Sequence, residues 1–261
     1  MNLNNLKIDN DTQSDFSVVV DDKQIEVYFK DIENSIIKKI RKYDNVVGCI
    51  AWLTNNNILK ELAKKKAVII IIQEEDFLRP DSQFDGQKEK WKNTIYKLYN
   101  KIEKLGNIYL GHCGINTSDG TGIKSGIRRV GLINKDKLPA FPRMHNKFII
   151  CFNDNINHED ETTYTAWPGS KHFFFGDEYE YSECSKCDGY EYGEMYGEVL
   201  TGSYNYTENS NNSFENVICI KEQLIVTQYF RQFAELCIMA IQLDWETEWT
   251  PNGSEDMRYG T

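Results

Sequence analysis

The sequence predicts an α/β fold in which a mixed β-sheet is flanked by helices on both faces. Apolar runs of strand length alternate with segments whose apolar residues recur at helical spacing. The run at residues 67–72 is apolar and mostly β-branched, which is typical of a strand covered on both faces. The chain has 261 residues, 40% of them hydrophobic, and can bury one large core. We therefore expect a single domain over residues 1–261.

The N-terminal half predicts alternating strands and helices. The expected strands are residues 25–28, 46–53 and 67–72. The expected helices are residues 31–43, a segment from a cap at Thr54 or Asn55 to the lysines at 64–66, and residues 87–105. In each helix the apolar side chains share one side, and the lysines at 64–66 suit the negative end of a helix dipole. Gly106 is the expected stop of the third helix.

The rest of the chain predicts short strands and one closing helix. The strands are expected at residues 107–112, 130–133, from His145 onward, 199–201 and 217–220, and the helix at residues 222–243. A glycine-punctuated loop between the first two of these strands contains Lys124 and ends in Arg128 and Arg129. These three cations either contact substrate phosphate or form a solvated loop edge.

Charge is distributed unevenly along the chain. The net charge is −10, of which residues 158–198 contribute −9 and residues 242–261 contribute −4, so the remaining body carries +3. Binding of a phosphate backbone usually recruits Lys and Arg. A mildly basic body is compatible with a phosphodiester substrate.

The N-terminus shows no signal pattern of basic residues followed by an apolar run. The longest apolar runs are far shorter than the roughly 20 residues that a membrane helix needs. We expect a soluble, cytoplasmic protein with no membrane partner.

The seven cysteines are an odd number, and a disulfide scaffold is not expected. Four of them fall inside predicted strands or a helix, where buried thiols are common: Cys49, Cys151, Cys219 and Cys237. Cys184 and Cys187 have the spacing of a zinc knuckle, to which His158 and His172 could add two ligands. A lone pair of this kind is weak evidence, and free thiols in a surface loop are the alternative. We expect no cofactor.

Three short motifs carry the chemistry. His145 and Lys147 are two residues apart at the start of an apolar strand and therefore point to one face of a sheet. Ser203 and Asn205 share this spacing, and Glu215 follows. A neutral imidazole can attack phosphorus, while an ammonium, a hydroxyl and a carboxamide can hold the phosphoryl oxygens. These groups suffice to break a phosphodiester without metal.

This set, read as H-x-K, G-S-x-N and then Glu-Asn, resembles the phospholipase D superfamily. The resemblance implies the phospholipase D-like fold and a phosphohistidine intermediate. His145 would be the nucleophile in one subunit and the general acid in the other, and Lys147, Ser203 and Asn205 would hold the phosphoryl oxygens. Glu215 would fix the tautomer of an imidazole. Since the chain holds one H-x-K, single-motif members imply a homodimer that shares its active site.

One position departs from this pattern. The family commonly has an aspartate five residues after the lysine, where this chain has Phe152. Asp154 is the nearest acid. Because that aspartate is usually credited with supporting the fold, its loss bears on local structure more than on chemistry.

Residues 158–198 form a predicted acidic, tyrosine-rich insertion between the H-x-K and G-S-x-N motifs. Its place suggests a flap near the catalytic cleft. It could mimic nucleic acid, dock a protein partner, or simply be a solvated segment.

The expected function is that of a metal-independent endonuclease, a homodimer that cleaves DNA or RNA in defence against foreign DNA. One alternative is a phospholipid phosphodiesterase, which the absence of a basic amphipathic helix disfavours. Another is an interaction module or effector subunit of a larger complex.

Overall fold

The computed structural model describes residues 18–19, 24–74, 86–108, 123–131, 143–153 and 197–243. In these ranges a nine-stranded mixed sheet forms the centre of the molecule. Its strands, in chain order, are β1 (Val18–Val19), β2 (Ile25–Tyr28), β3 (Asn45–Ile50), β4 (Ala67–Gln73), β7 (Gly126–Val130), β8 (Lys147–Phe152), β9 (Gly197–Gly202), β10 (Val217–Ile220) and β11 (Ile241–Gln242). A separate two-stranded sheet pairs β5 (Asn107–Ile108) with β6 (Ile123–Lys124).

The strand order of the main sheet is β1-β2-β10-β9-β8-β3-β4-β7-β11. The pairs β3–β4 and β4–β7 are parallel, and the other pairs are antiparallel. All seven residues of β4 are buried, which confirms the prediction of a strand covered on both faces.

Helices cover the two faces, as the sequence predicted. They are α1 (Ile32–Lys42), α2 (Asn56–Leu62), α3 (Gly86–Glu103) and α4 (Gln223–Met239), with a 3₁₀ helix at Glu208–Asn212. Residues of α1, α2 and α3 pack in one core with Ile50, Ile70 and Ile149. Residues of α4 pack in a second core with Val47, Ile71 and Phe148 on the opposite face. No described helix has both the length and the apolar character needed to cross a membrane.

Polar contacts fix both ends of α2. The Asn55 side chain accepts hydrogen bonds from the backbone N–H groups of Asn57 and Ile58, at 2.9 and 3.0 Å, so Asn55 is the N-cap. At the other end, Lys65 donates to the carbonyl oxygens of Ile40 and Tyr43, at 2.8 and 2.6 Å. The C-terminal ends of α1 and α2 are thereby joined.

Several predicted boundaries were wrong. Arg128 and Arg129 lie within β7, not in a loop before a strand at residues 130–133. The last helix ends at Met239, and β11 then pairs with β7 at the sheet edge. The strand β9 begins at Gly197 and so includes the last two residues of the predicted insertion, whose bounds stay a prediction. Of the strand predicted at 107–112, residues 107–108 are described, and they form β5.

The cysteine prediction is confirmed for the described residues. Cys49, Cys151, Cys219 and Cys237 are buried free thiols in β3, β8, β10 and α4. The proposed zinc ligands Cys184, Cys187, His158 and His172 lie outside the described residues, as do residues 158–196 of the predicted insertion.

A buried charge cluster holds α1 against the sheet. Lys39 Nζ lies 2.7 Å from Glu26 Oε1 and 3.1 Å from Glu198 Oε2, and the Glu198 side chain is fully buried. Burial alone would raise the pKa of Glu26, but the hydrogen bonds from Lys39 and Tyr28 and the charges of Lys39 and Lys221 lower this pKa to about 2. Buried charges of this kind need partners to be tolerated.

The depressed pKa of Glu26 predicts acid sensitivity. A carboxylate with a lowered pKa in the folded state stabilises the protein above its unfolded pKa of 4.5, and this stabilisation is lost as the pH falls towards about 2. In Glu26→Gln, the free energy of unfolding should fall less steeply with pH over this interval than in wild type. Urea unfolding at several pH values measures this dependence of the free energy of unfolding on pH. The exposed Glu235→Gln variant is the control, and equal slopes for all three proteins would contradict the prediction.

Candidate active site

The sheet register brings the predicted catalytic residues to one edge. Lys147 lies opposite Ile50 at the end of β3, and Phe148 lies opposite Thr201 near the end of β9. His145 lies two residues before β8, Ser203 directly follows β9, and Glu215 lies two residues before β10. The motifs separated by about 60 residues in sequence therefore meet where β3 and β9 end.

His145 and Lys147 form a close pair. The Lys147 ammonium lies 3.2 Å from each ring nitrogen of His145 and donates to the His145 carbonyl oxygen at 3.1 Å. Trp52 meets the His145 ring edge to face, with centroids 5.3 Å apart, and its own centroid lies 5.8 Å from the ammonium. The motif pattern did not predict Trp52 as a site residue. The one feature of the sequence that could have indicated Trp52 is its position two residues after the strand β3.

The electrostatics of this pair favour a neutral imidazole. Burial and the charges of Lys147 and Arg143 lower the pKa of His145 below its usual value of 6.5. Burial also lowers the pKa of Lys147, and the negative charge of Glu215 opposes this shift. A neutral imidazole keeps the lone pair that a nucleophile requires.

Ser203 and Glu215 form the second half of the site. The Ser203 hydroxyl donates to Glu215 Oε2 at 2.5 Å and accepts from the Asn216 backbone N–H at 3.1 Å. The Ser203 N–H donates to the Asn216 carbonyl oxygen at 3.2 Å. Among the described residues Glu215 thus hydrogen-bonds a hydroxyl rather than an imidazole. Asn216 supports this turn through its backbone N–H and carbonyl groups.

A glycine is required before Ser203. A Cβ on Gly202 would overlap the carbonyl oxygen of Asn216, because β9 and β10 approach closely there. This explains the Gly-Ser pair in physical terms.

The loop that carries Asn205 is tied to the loop before α2. The Tyr206 carbonyl oxygen accepts from the N–H groups of Thr54 and Asn55, at 2.9 and 2.8 Å. Asn205 is half-buried, and its side-chain oxygen is buried without a hydrogen-bond donor among the described residues. This oxygen can therefore accept a further hydrogen bond.

Glu33 at the start of α1 supports the same loop. Its carboxylate accepts from the side chains of Asn57 and Asn55, each at 2.7 Å, and from Asn211. Asn211 in turn accepts from the Tyr204 hydroxyl at 2.7 Å. Burial would raise the pKa of Glu33, but these three amide donors lower it. The sequence pattern had not predicted this network, whose members are far apart in the chain.

No family model matches the chain. An uncharacterized protein of Acanthamoeba polyphaga mimivirus is 26% identical to it over 258 residues, which cover 95% of this chain and 75% of the relative. NucT from Helicobacter pylori is similar in structure, with a TM-score of 0.44 and 11% identity over 88% of this chain and 98% of that one.

Two further solved structures are similar. The phospholipase D family member Nuc from Salmonella typhimurium has a TM-score of 0.41 and 13% identity, over 84% of this chain and 96% of that one. A phosphatidylserine synthase from Haemophilus influenzae has a TM-score of 0.40 and 11% identity, over 89% of this chain and 43% of that one.

Phe152, at the position where the resemblance predicted aspartate, is part of the core. It is buried in β8, and its ring meets that of Phe230 on α4 edge to face, with centroids 6.0 Å apart. Asp154 lies outside the described residues. An apolar contact with α4 thus holds this end of β8.

The three predicted phosphate contacts lie in different surroundings. Arg129 lies in register with Ile72 and, through β3, with Lys147, three strand spacings or about 14 Å away. Its side chain is buried in an ion pair with Glu74, so we exclude it from the proposed substrate contacts.

Arg128 and Lys124 are less enclosed. Arg128 is half-buried. Burial raises the pKa of Cys237 on α4, and the positive charge of Arg128 opposes this shift. Lys124 is exposed, 3.9 Å from Glu103. Phosphate contact by Arg128 and Lys124 stays a prediction.

One cluster of side chains in the described ranges consists of residue types that can bind a metal ion. Ligand atoms of Glu26, Glu198 and Cys219 lie within 4.8 Å of one another. The Lys39 ammonium, however, lies within hydrogen-bond distance of both carboxylates. It balances their charge where a cation would bind.

The short distance between Lys147 and His145 predicts a measurable pKa change. In Lys147→Met the pKa of His145 should rise towards 6.5, because a positive charge that disfavours the imidazolium is removed. NMR titration measures it, with the His145 signal identified by its loss in His145→Ala. The exposed Lys88→Met is the control. An unchanged His145 pKa in Lys147→Met would show that the two groups are not coupled.

The Glu33 network predicts a stability effect at the site. The Glu33→Gln substitution replaces a carboxylate that accepts from three amide donors with an amide that has only one acceptor oxygen. It should lower the free energy of unfolding by about 1–3 kcal/mol. The exposed Glu89→Gln on α3 should change it by less than about 0.5 kcal/mol. Urea unfolding at pH 7 compares the two. Equal effects would mean that the network does not stabilise the loop.

Proposed function

We propose that the chain is a metal-independent phosphodiesterase of the phospholipase D type that cleaves nucleic acid, DNA or RNA. The observation that carries the proposal is the convergence of His145, Lys147, Ser203 and Glu215 at one edge of the sheet. The site thus has a neutral imidazole beside an ammonium and, as a second pair, a hydroxyl bound to a carboxylate. These groups match the demands of phosphoryl transfer through histidine.

In the proposed reaction a His145 ring nitrogen attacks phosphorus and the bond to the leaving oxygen breaks. A second histidine gives its proton to that oxygen. The same histidine then takes a proton from water, which attacks the phosphohistidine and releases His145. Lys147 and the Asn205 amide hold the non-bridging oxygens. The Ser203 hydroxyl, which Glu215 positions, joins them when its single proton turns from the carboxylate to the phosphate.

The second histidine comes from a second copy of the chain in this proposal. His145 is the only histidine among the described residues, and the other three lie outside them and outside the H-x-K motif. A two-fold axis at the site would place two copies of His145 on one phosphate, in the commonest oligomer symmetry. We therefore propose a homodimer that shares its active site.

Nucleic acid is favoured over phospholipid as the substrate. Residues 31–66 of the described body hold eight basic and four acidic side chains, although the whole chain carries −10. Such a local excess suits a polyanionic backbone. A phospholipid phosphodiester is the second candidate and has the same catalytic groups in its favour.

Cleavage assays in EDTA test the proposal. We expect the wild-type chain to cleave single-stranded or double-stranded DNA or RNA, and His145→Ala to give no cleavage above background, because the nucleophile is removed. Lys147→Met should reduce the rate about 10²–10³-fold, as loss of one oxyanion-type donor does. Phospholipid vesicles assayed in parallel test the second candidate.

Two outcomes would contradict the proposal. Cleavage that disappears in EDTA would oppose a histidine mechanism. A monomeric mass in solution for an active enzyme would oppose the shared site. The exposed variant Lys88→Met controls for loss of charge alone.

A further inference from the structure

A cationic cleft lies apart from the catalytic residues. It is a cavity of about 670 Å³ between α1, α2 and α3. Five basic side chains line it, namely Lys38, Arg41, Lys60, Lys64 and Lys101, with two acids, Glu33 and Glu61. The imbalance is notable because the chain as a whole is acidic.

The two acids of the cleft are already engaged. Glu61 accepts from Arg41 at 3.1 and 2.8 Å and from Lys64 at 2.8 Å, while its own side chain is only 9% exposed. Glu33 is held by the amides of Asn55, Asn57 and Asn211. Glu61 is thus shared by two of the cations, and Glu33 keeps its negative charge among neutral amides. The five basic and two acidic side chains leave the cleft with a net charge of +3.

Three lysines supply the net positive charge. Lys38 on α1, Lys60 on α2 and Lys101 on α3 are exposed. Within the described ranges, no carboxylate lies within ion-pair distance of any of them. They come from three helices and line one cavity, so their charges add at the same place.

The cleft begins near the active-site edge of the sheet. Both α2 and β8 meet that edge, since α2 follows β3 and Lys147 pairs with the last residue of β3. Asn57 and Glu33 mark this end of the cleft, and Arg41 and Lys64 lie about two turns further along their helices, roughly 10–12 Å away. A strand leaving the site over α2 would meet the cations in succession.

We propose that this cleft binds the sugar–phosphate backbone of the nucleic acid outside the active site. The cleft supplies strand affinity, while the residues around His145 supply the chemistry. This inference rests on the proposed function in taking nucleic acid as the ligand. Its support is the charge complementarity between three lysines that pair with no described carboxylate and a backbone that carries one charge per nucleotide.

Binding to a labelled 20-nucleotide oligothymidylate tests the cleft. Fluorescence anisotropy is measured in the His145→Ala background, so that the strand stays intact. Adding Lys38→Gln and Lys60→Gln should weaken binding about tenfold at low salt. The slope of log K against log salt should become shallower by about 1.4, that is, about 0.7 for each lost contact with a single strand.

Two controls separate the cleft from total charge and from folding. Lys88→Gln with Lys90→Gln makes the same charge change at exposed positions on α3 that do not line the cleft, and should leave affinity close to that of the parent. Lys38→Arg with Lys60→Arg keeps both charges and should bind like the parent. Equal weakening in the Lys38/Lys60 and Lys88/Lys90 glutamine variants, or no weakening in either, would overturn the cleft as a binding site.

A small phosphodiester keeps this test independent of the proposed function. With His145 intact, the wild-type chain and the Lys38/Lys60 glutamine variant should hydrolyse bis(4-nitrophenyl) phosphate at equal rates, because this substrate is too small to reach the cleft. A lower rate in the variant would overturn the separation of binding from chemistry. Absence of hydrolysis in wild type would refute the proposed function, while the anisotropy result would still decide the cleft.

Discussion

The antiparallel register of β8 between β3 and β9 is the constraint on which the rest of the site depends. Lys147 lies opposite Ile50, and the alternation that follows buries Phe148 on the α4 face and Ile149 on the α1–α3 face. A slip of one residue would turn every side chain of β8 to the other face. The two cores thus fix the direction in which His145 and Lys147 point.

The site loops are held by polar contacts that come from distant parts of the chain. Glu33, at the start of α1, collects three amide donors and reaches Tyr204 through Asn211. On the same face Lys39 bridges two carboxylates under α1. Both arrangements satisfy buried polar groups with several partners, which makes the position of α1 sensitive to the loss of any one of them.

Much of the fold could be predicted because its signals are local. The β-branched run of β4 and the helical spacing in α1 and α3 are properties of neighbouring residues, and the structure confirms them. The errors fall in segments whose secondary structure depends on the strand with which they pair. Arg129 lies inside β7 because β4 pairs with that strand and Glu74 neutralises the charge. The glycines and arginines of this segment predict a loop instead, because the local sequence contains no information about that strand pairing.

The order of the motifs alone indicated the chemical groups, because H-x-K and G-S-x-N place polar side chains at a spacing that one strand or turn presents together. Which of the chain's cations remain available was decided only by tertiary contacts. Glu74 engages Arg129 across 55 residues of sequence, and Glu61 engages Arg41 across 20. Ion pairs between distant segments depend on the packing of helices and strands, and this packing leaves Lys147 at the site and Lys38 and Lys60 in the cleft.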